Sequence, residues 1–342
     1  MEIEFVAAVP PGMGAAQLEQ SEIIRRAFAR RDVEVNAIDS IAEYWCRRFG
    51  VARQADWPVA PFRLDNQAAS EEDQGAYWLC ADPVHMHFDA DRVLFDPHAT
   101  GDLDAAQAAE LAAILNAHFS ADGMQLRVIT PTLWLLRMPR ALQVTVPEAA
   151  QAHGRPALRV LPRGADAAWL RRISSEAQML LHAAPANAAR EARHLPTINS
   201  LWLWGGGTRP RPAVASTPQD MDVFSGDAGV RGLARAAGCA IHLAPAQWAQ
   251  AAAGLKPDAP GKALIDMTEF SQDPDWAERL RENWVEPAAI SAKTQKFTFS
   301  LTLLMSGKSL KAKLYRSDLF HFFCRKSLAG YVDNIQNSAI VE

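Results

Sequence analysis

The stretch Ile3-Glu4-Phe5-Val6-Ala7-Ala8-Val9-Pro10-Pro11-Gly12 decides the fold class. Seven residues rich in apolar and β-forming types read as a buried strand, and Pro-Pro-Gly ends it with turn chemistry. Leu18–Arg30 then places Leu18, Ile23, Ile24, Ala27 and Phe28 at the spacing of an amphipathic helix. Ser40–Phe49 reads as a second helix, with Gly50 as its C-cap. A strand followed by helices is the opening of an open α/β sheet.

Working outward, Leu64–Gly75 is polar and aperiodic and reads as a surface connection. Tyr77–Phe88 is a predicted strand, and Val93–Phe95 returns as its hairpin partner across Asp89-Ala90-Asp91-Arg92. Asp104 with Gln107 three residues on makes a capping-box pattern before Ala105–Phe119. Gln125–Thr130 and Thr132–Met138 resume strand character, so this stretch forms an α+β unit distinct from the opening. Ala167–Ala183 is a helix with Trp169, Ile173, Ala177 and Leu180 as its expected buried stripe. Ile198–Trp204 is an apolar strand that Gly205-Gly206-Gly207 is expected to end. Two helices, Val230–Ala237 and Gln247–Ala253, a short strand at Ala263–Met267 and a helix opened by Asp273-Pro274-Asp275 follow. Phe297–Met305 and Leu310–Leu314 alternate as a half-buried β-hairpin turned at Ser306-Gly307-Lys308. The expected division is a core at 1–70, an inserted α+β subdomain at 71–195, and the rest of the core at 196–342.

The 342 residues suffice for a large core, and 49% of them are hydrophobic. Thirty-five Lys and Arg against 39 Asp and Glu give a net charge of −4, which argues against a nucleic-acid binder acting through bulk charge. No apolar run reaches the length of a membrane span, and Met1-Glu2-Ile3-Glu4 lacks the basic start of a secretory signal. Cys46, Cys80, Cys239 and Cys324 are scattered without a CxxC, so a reducing cytoplasm is expected.

Three clusters carry chemistry. Asp82, His85 and His87 have metal-ligand character for zinc or manganese, although solvation and turn chemistry on a polar strand face is the stronger reading. Gly205-Gly206-Gly207 beside Arg190, Arg193, Arg209 and Arg211 resembles neither a Walker loop nor a dinucleotide fingerprint. Residues 291–326 hold eight cations and one acid. Lys308, Lys311, Lys313 and Arg316 form a basic surface there, read first as protection of an edge strand and second as a nucleic-acid contact.

Pro185-Ala186-Asn187-Ala188-Ala189-Arg190 and Asn199-Ser200-Leu201-Trp202-Leu203-Trp204-Gly205-Gly206-Gly207 resemble a stretch of archaeal-type cofactor-independent phosphoglycerate mutases. Tyr77–His85 and Glu176–His182 are similar to a bacterial family of phosphoglycerate mutase-like, RpfE-type regulatory proteins. The resemblance implies an alkaline-phosphatase-like α/β core with helices on its sheet and a smaller α+β insert. It implies, further, an anion or ligand pocket near Asn187, Arg190, Asn199, Trp204, Gly205, Gly207 and Arg209.

In the mutases two divalent metals bind Asp and His, and a serine carries the phosphate. Here Ala7-Ala8-Val9 stands where an Asp-Gly metal position is expected after the first strand. The family's D-x-x-G-H falls near Asp266-Met267-Thr268-Glu269-Phe270, with phenylalanine in place of histidine. The expectation is a regulatory or interaction protein with no catalytic residue and no cofactor, whose partner is an unidentified protein or a small phosphorylated ligand. The alternative is a phosphohydrolase or phosphomutase using manganese or zinc at a relocated site.

Overall fold

The computed structural model describes residues 1–9, 18, 20–28, 33–64, 73, 75–96, 99–209, 221–255, 261–269, 275–294, 297–305 and 307–314. The expected Pro10-Pro11-Gly12 turn, most of the 64–75 connection, Arg211 and Arg316 lie outside them. The chain opens with β1 (Glu2–Ala8), α1 (Glu22–Phe28), β2 (Glu34–Ala37) and α2 (Ile41–Arg48). Next come β3 (Tyr77–Val84), β4 (Met86–Asp89), β5 (Arg92–Phe95), α3 (Ala105–Phe119), β6 (Gln125–Thr130) and β7 (Leu133–Met138). Then follow α4 (Ala167–His182), α5 (Pro185–Ala192), β8 (Ser200–Thr208), β9 (Met221–Phe224), α6 (Ala228–Ala236) and β10 (Ala240–His242). The last are α7 (Trp248–Gly254), β11 (Lys262–Asp266), α8 (Glu286–Thr294), β12 (Thr298–Met305) and β13 (Lys308–Leu314).

The residues divide into two compact units. One comprises 1–41, 216–227 and 234–342, and the other 42–215 and 228–233. The boundaries differ from the expected 70/71 and 195/196 for a physical reason. β8 hydrogen-bonds along β3 from Tyr77↔Thr208 to Val84↔Ser200, so residues after 195 belong to the same sheet as residues before it.

The first unit is built on a seven-stranded sheet in the order β10-β9-β11-β1-β12-β13-β2. The first five strands of that order are parallel, and β13 and β2 add antiparallel. β1 is buried from Ile3 to Ala8, as a parallel strand covered on both faces requires. Phe5 meets Trp248, Trp284 and Phe299 edge-on at 5.9, 6.1 and 6.0 Å, so helical and strand aromatics lock one face of the sheet. A wide π-turn, Leu280–Val285, leads into α8, next to a Pro287 that has no N–H to give to an ordinary helical bond.

Two expectations for the C-terminal hairpin are corrected. β12 is buried on both faces, including Ser300 and Thr302, as an interior strand of a sheet covered on both sides. β13 is not an edge, because Lys308–Lys311 pair with Ala37–Glu34 of β2. The lysines therefore do not protect an edge there. Lys311 reaches across to the buried Glu4 at 2.9 Å, and Thr302 Oγ1 donates to the same carboxylate oxygen at 2.8 Å. Burial pulls the Lys308 ammonium below its usual range. Of Lys308, Lys311 and Lys313, Lys313 alone is fully exposed.

The second unit carries a four-stranded antiparallel sheet, β6-β7-β3-β8, and the β4–β5 hairpin. Asp104 caps α3 by accepting from Gln107 N at 2.8 Å. The buried stripe of α4 is Leu170, Ile173, Ala177 and Leu181. Trp169 is displaced from it, with the Arg140 guanidinium over its ring, a correction to the expected Trp169-to-Leu180 face. No helix among the described residues is long and apolar enough to cross a membrane.

Candidate functional site

Open α/β sheets offer their ligand crevice at the carboxyl ends of the parallel strands. In the first unit β9 ends at Phe224 and β11 at Asp266, one strand from the end of β1. Ser225 and Asp266 meet there. Ser225 Oγ donates to Asp266 Oδ2 at 2.7 Å. Thr268 N and Thr268 Oγ1 both donate to Asp266 Oδ1, at 2.9 and 2.7 Å. Ser225 Oγ in turn accepts from Asp227 N at 3.0 Å. Ser225 is 0% and Asp266 3% exposed, so both are sealed from bulk water. Burial, opposed by these hydrogen bonds and aided by the nearby Asp227, pushes the Asp266 carboxyl up to about 6.

This arrangement is self-contained. Both carboxylate oxygens take hydrogen bonds from the chain's own hydroxyl and amide groups. Among the described residues no three His, Cys, Asp or Glu side chains stand together as a metal set. Among the described residues, the hydrogen-bond partners of the Asp266 side chain are a serine hydroxyl and the amide and hydroxyl of a threonine.

The residues expected to form an anion pocket lie in the second unit, and the structure gives most of their polar atoms other work. Asn187 Nδ2 donates to Leu181 O and Ile198 O, both at 2.8 Å, while its Oδ1 accepts from Ile198 N at 2.9 Å. Arg190 is 0% exposed. Its guanidinium donates to Pro196 O, Ala99 O, Asp102 O and Gln107 Oε1 at 2.8, 2.5, 3.4 and 3.1 Å. Burial lowers its pKa from the usual range. Asn199 clamps both backbone groups of Met86, accepting from its N at 2.7 Å and donating to its O at 2.8 Å. Trp204 Nε1 donates to Asp82 Oδ2 at 2.6 Å, and Arg63 lies over the Trp204 ring and 3.6 Å from Asp82 Oδ1. The Arg209 guanidinium lies over Phe62.

The three glycines lie inside β8, which continues to Thr208, so the expectation that they end the strand is corrected. Between Trp78↔Gly207 and Cys80↔Trp204, two β8 residues oppose one on β3. Gly205, at φ +63°, supplies the left-handed residue of that bulge. A side chain on Gly206 would overlap the Tyr77 hydroxyl, and one on Gly207 would overlap Pro58. The close approach is to protein, where a phosphate-binding loop would leave room for an anion. Asp56 accepts from Trp57 N, Val146 N and Gly205 N, and burial raises its pKa against those bonds. Asp56 went unnoticed in the sequence; its signal is an acid in the turn-rich Ala55-Asp56-Trp57-Pro58.

Only the φ at Gly205 needs glycine, since an added Cβ would meet Cys80, Val59 and Ala60 no closer than 3.5 Å. Gly205→Ala should therefore cost about 1–2 kcal/mol in urea unfolding, and Gly205→Asn less. Equal stability of all three proteins would remove the left-handed bulge from the account.

His85 Nδ1 lies 2.8 Å from Thr197 O, and its ring centroid is 6.1 Å from that of His87. Asp82, the third residue of the alternative metal reading, accepts from Trp204 and lies beside Arg63.

No protein-family model matches the chain, and no curated protein matches it. Several solved structures are similar, among them the following two. The cofactor-independent phosphoglycerate mutase of Thermoplasma acidophilum DSM 1728 is 13% identical, with 96% of this chain and 94% of that chain covered and a TM-score of 0.39. The PH0037 protein of Pyrococcus horikoshii is 13% identical, with 92% of this chain and 89% of that one covered and a TM-score of 0.50. The likeness to the Pyrococcus protein is one of fold.

Proposed function

We propose that this chain is a phosphoglycerate mutase-like protein on an alkaline-phosphatase-like scaffold, without the two-metal chemistry, working as a regulatory or interaction protein. The observation that carries this is Asp266. The acid at the carboxyl end of β11 accepts from Ser225 on one oxygen and twice from Thr268 on the other, and is buried. A ligand to a catalytic metal needs open lone pairs and deprotonated partners, and here the histidine of the family's D-x-x-G-H is replaced by Phe270. The resemblance in sequence supplies the family, and the engagement of Asn187, Arg190 and Asn199 within the fold supports a structural role for its most specific motif.

The protein should show no phosphoglycerate mutase turnover above buffer when assayed with manganese. Robust turnover abolished by a chelator would overturn the reading. Elemental analysis of the purified protein separates the metal-dependent alternative, which requires stoichiometric manganese or zinc. A cytoplasmic setting fits the same reading, since among the described residues Cys46, Cys80 and Cys239 are buried and form no disulfide, and burial raises the Cys46 thiol to about 12.

A further inference from the structure

The second unit contains a cleft of about 250 Å³, formed by α4, β8, the β4–β5 hairpin and the single-turn helix Ala157–Val160. Its walls are apolar. Val93, Val160, Leu170 and Leu201 are all at most 3% exposed and form a fixed lining, with Met86 and Trp202 beside them. Trp202 is held by its Nε1–H to Pro147 O at 2.8 Å and by edge-on contact with Phe95 at 5.1 Å. At the mouth Phe88 and Leu161 are 59% and 39% exposed, an apolar surface that water penalises.

One wall differs. α4 presents Arg171, Ser174, Ser175 and Gln178 at i, i+3, i+4 and i+7, so a single helical face brings polar groups to the cleft. Ser174 Oγ gives its proton to Leu170 O at 3.1 Å, and Gln178 Nε2 donates to Ser200 Oγ at 3.2 Å. Among the described residues Arg171 is the only charged one in the lining, and no acid accompanies it there. Its one hydrogen bond among the described residues, to Pro162 O, is long at 3.5 Å. A guanidinium fork offers paired donors matched to a carboxylate, whereas a cationic ligand would find no counter-charge here.

We propose that this cleft binds a small monocarboxylate with an apolar body, the body among Met86, Val93, Val160 and Trp202 and the carboxylate on Arg171. The volume is below the roughly 300–1,000 Å³ of sites for drug-sized molecules and far too small for a docked helix. A phosphorylated sugar acid offers no apolar surface to these walls and would leave them unmatched. The cleft lies within one unit, and its occupancy is independent of whether the protein catalyses anything.

Calorimetric titration of the full chain with octanoate and phenylpropionate tests the site, with octanol and phosphoglycerate as comparisons. At least one apolar carboxylate should bind, octanol should bind at least about tenfold more weakly than octanoate, and phosphoglycerate should not compete. Arg171→Gln, an exposed change that leaves the core alone, should weaken binding about tenfold or more, the size of a lost charge-assisted pair. Ala157→Trp, which fills the cleft, should abolish it. The proposal is overturned if neither carboxylate binds at about 5 mM, if octanol matches octanoate, or if Arg171→Gln leaves the affinity unchanged.

Discussion

Arg190→Leu should lower the unfolding free energy by about 4 kcal/mol or more, read as a fall in the urea midpoint at constant slope. The guanidinium ties three stretches of chain together: Ala99 and Asp102 before α3, Gln107 in its first turn, and Pro196 after α5. Leucine fills much of the volume but takes a donor from three carbonyls and an amide oxygen, of which the buried Ala99 carbonyl loses most, about 1–3 kcal/mol, and the part-buried others less. Arg190→Lys should recover only part of the loss, because a point ammonium cannot face acceptors spread around a planar fork. A midpoint within experimental error of wild type for Arg190→Leu would show that these bonds contribute nothing.

Much of the fold was legible because it rests on periodicity. The run Ile3–Val9, the stripe Ala108, Leu111, Leu115 and Phe119 on α3, and the alternating Phe297–Met305 all announce elements that the structure contains. What periodicity cannot report is the neighbour. The alternation in β12 suggested one wet face, yet Ser300 and Thr302 are buried, because the strand lies inside a sheet covered on both faces. Trp169 and Leu180 share α4 with the true stripe, but a tryptophan can leave the core when an arginine stacks on it, as Arg140 does. The unit boundaries failed for a related reason: β3 and β8, more than a hundred residues apart, are bonded neighbours, and no local signal encodes that pairing.

The site was legible as residue types and illegible as roles. Pro185–Arg190 and Asn199–Gly207 stand out in the sequence because their side chains are unusual in a strand–helix setting. An asparagine or arginine that holds buried backbone is as constrained as one that holds a ligand, so pattern alone cannot separate the two. Hydrogen-bond accounting separates them. Asn187 and Asn199 are paired to backbone on both sides of their amides, and the glycines of β8 make room for Tyr77 and Pro58. The cleft beside α4 had no sequence signal, because it is an absence of packing between four elements.

Asp266→Asn should stabilise the protein at neutral pH and leave it unchanged in acid. A carboxyl raised from 3.8 to about 6 in the fold is protonated there while its unfolded counterpart is already ionised. The native state then binds more protons than the unfolded one, so wild-type stability falls as pH rises from about 4 through about 6 and is flat beyond. The full difference is worth roughly 3 kcal/mol. Asparagine keeps the acceptor for Thr268 and turns the other end into a donor, which the Ser225 hydroxyl can accept by rotating towards Asp227 O. The variant should thus match wild type near pH 4 and exceed it by up to about 3 kcal/mol near pH 8, with the crossover set by the folded carboxyl. A metal-binding Asp266 reverses every sign. Manganese would hold the carboxylate ionised, stabilise wild type by an amount that rises with the logarithm of its concentration, and leave Asp266→Asn the weaker protein at neutral pH. Melting both proteins across this pH range, with and without manganese, therefore distinguishes a silent scaffold from a working one by the direction of a single difference.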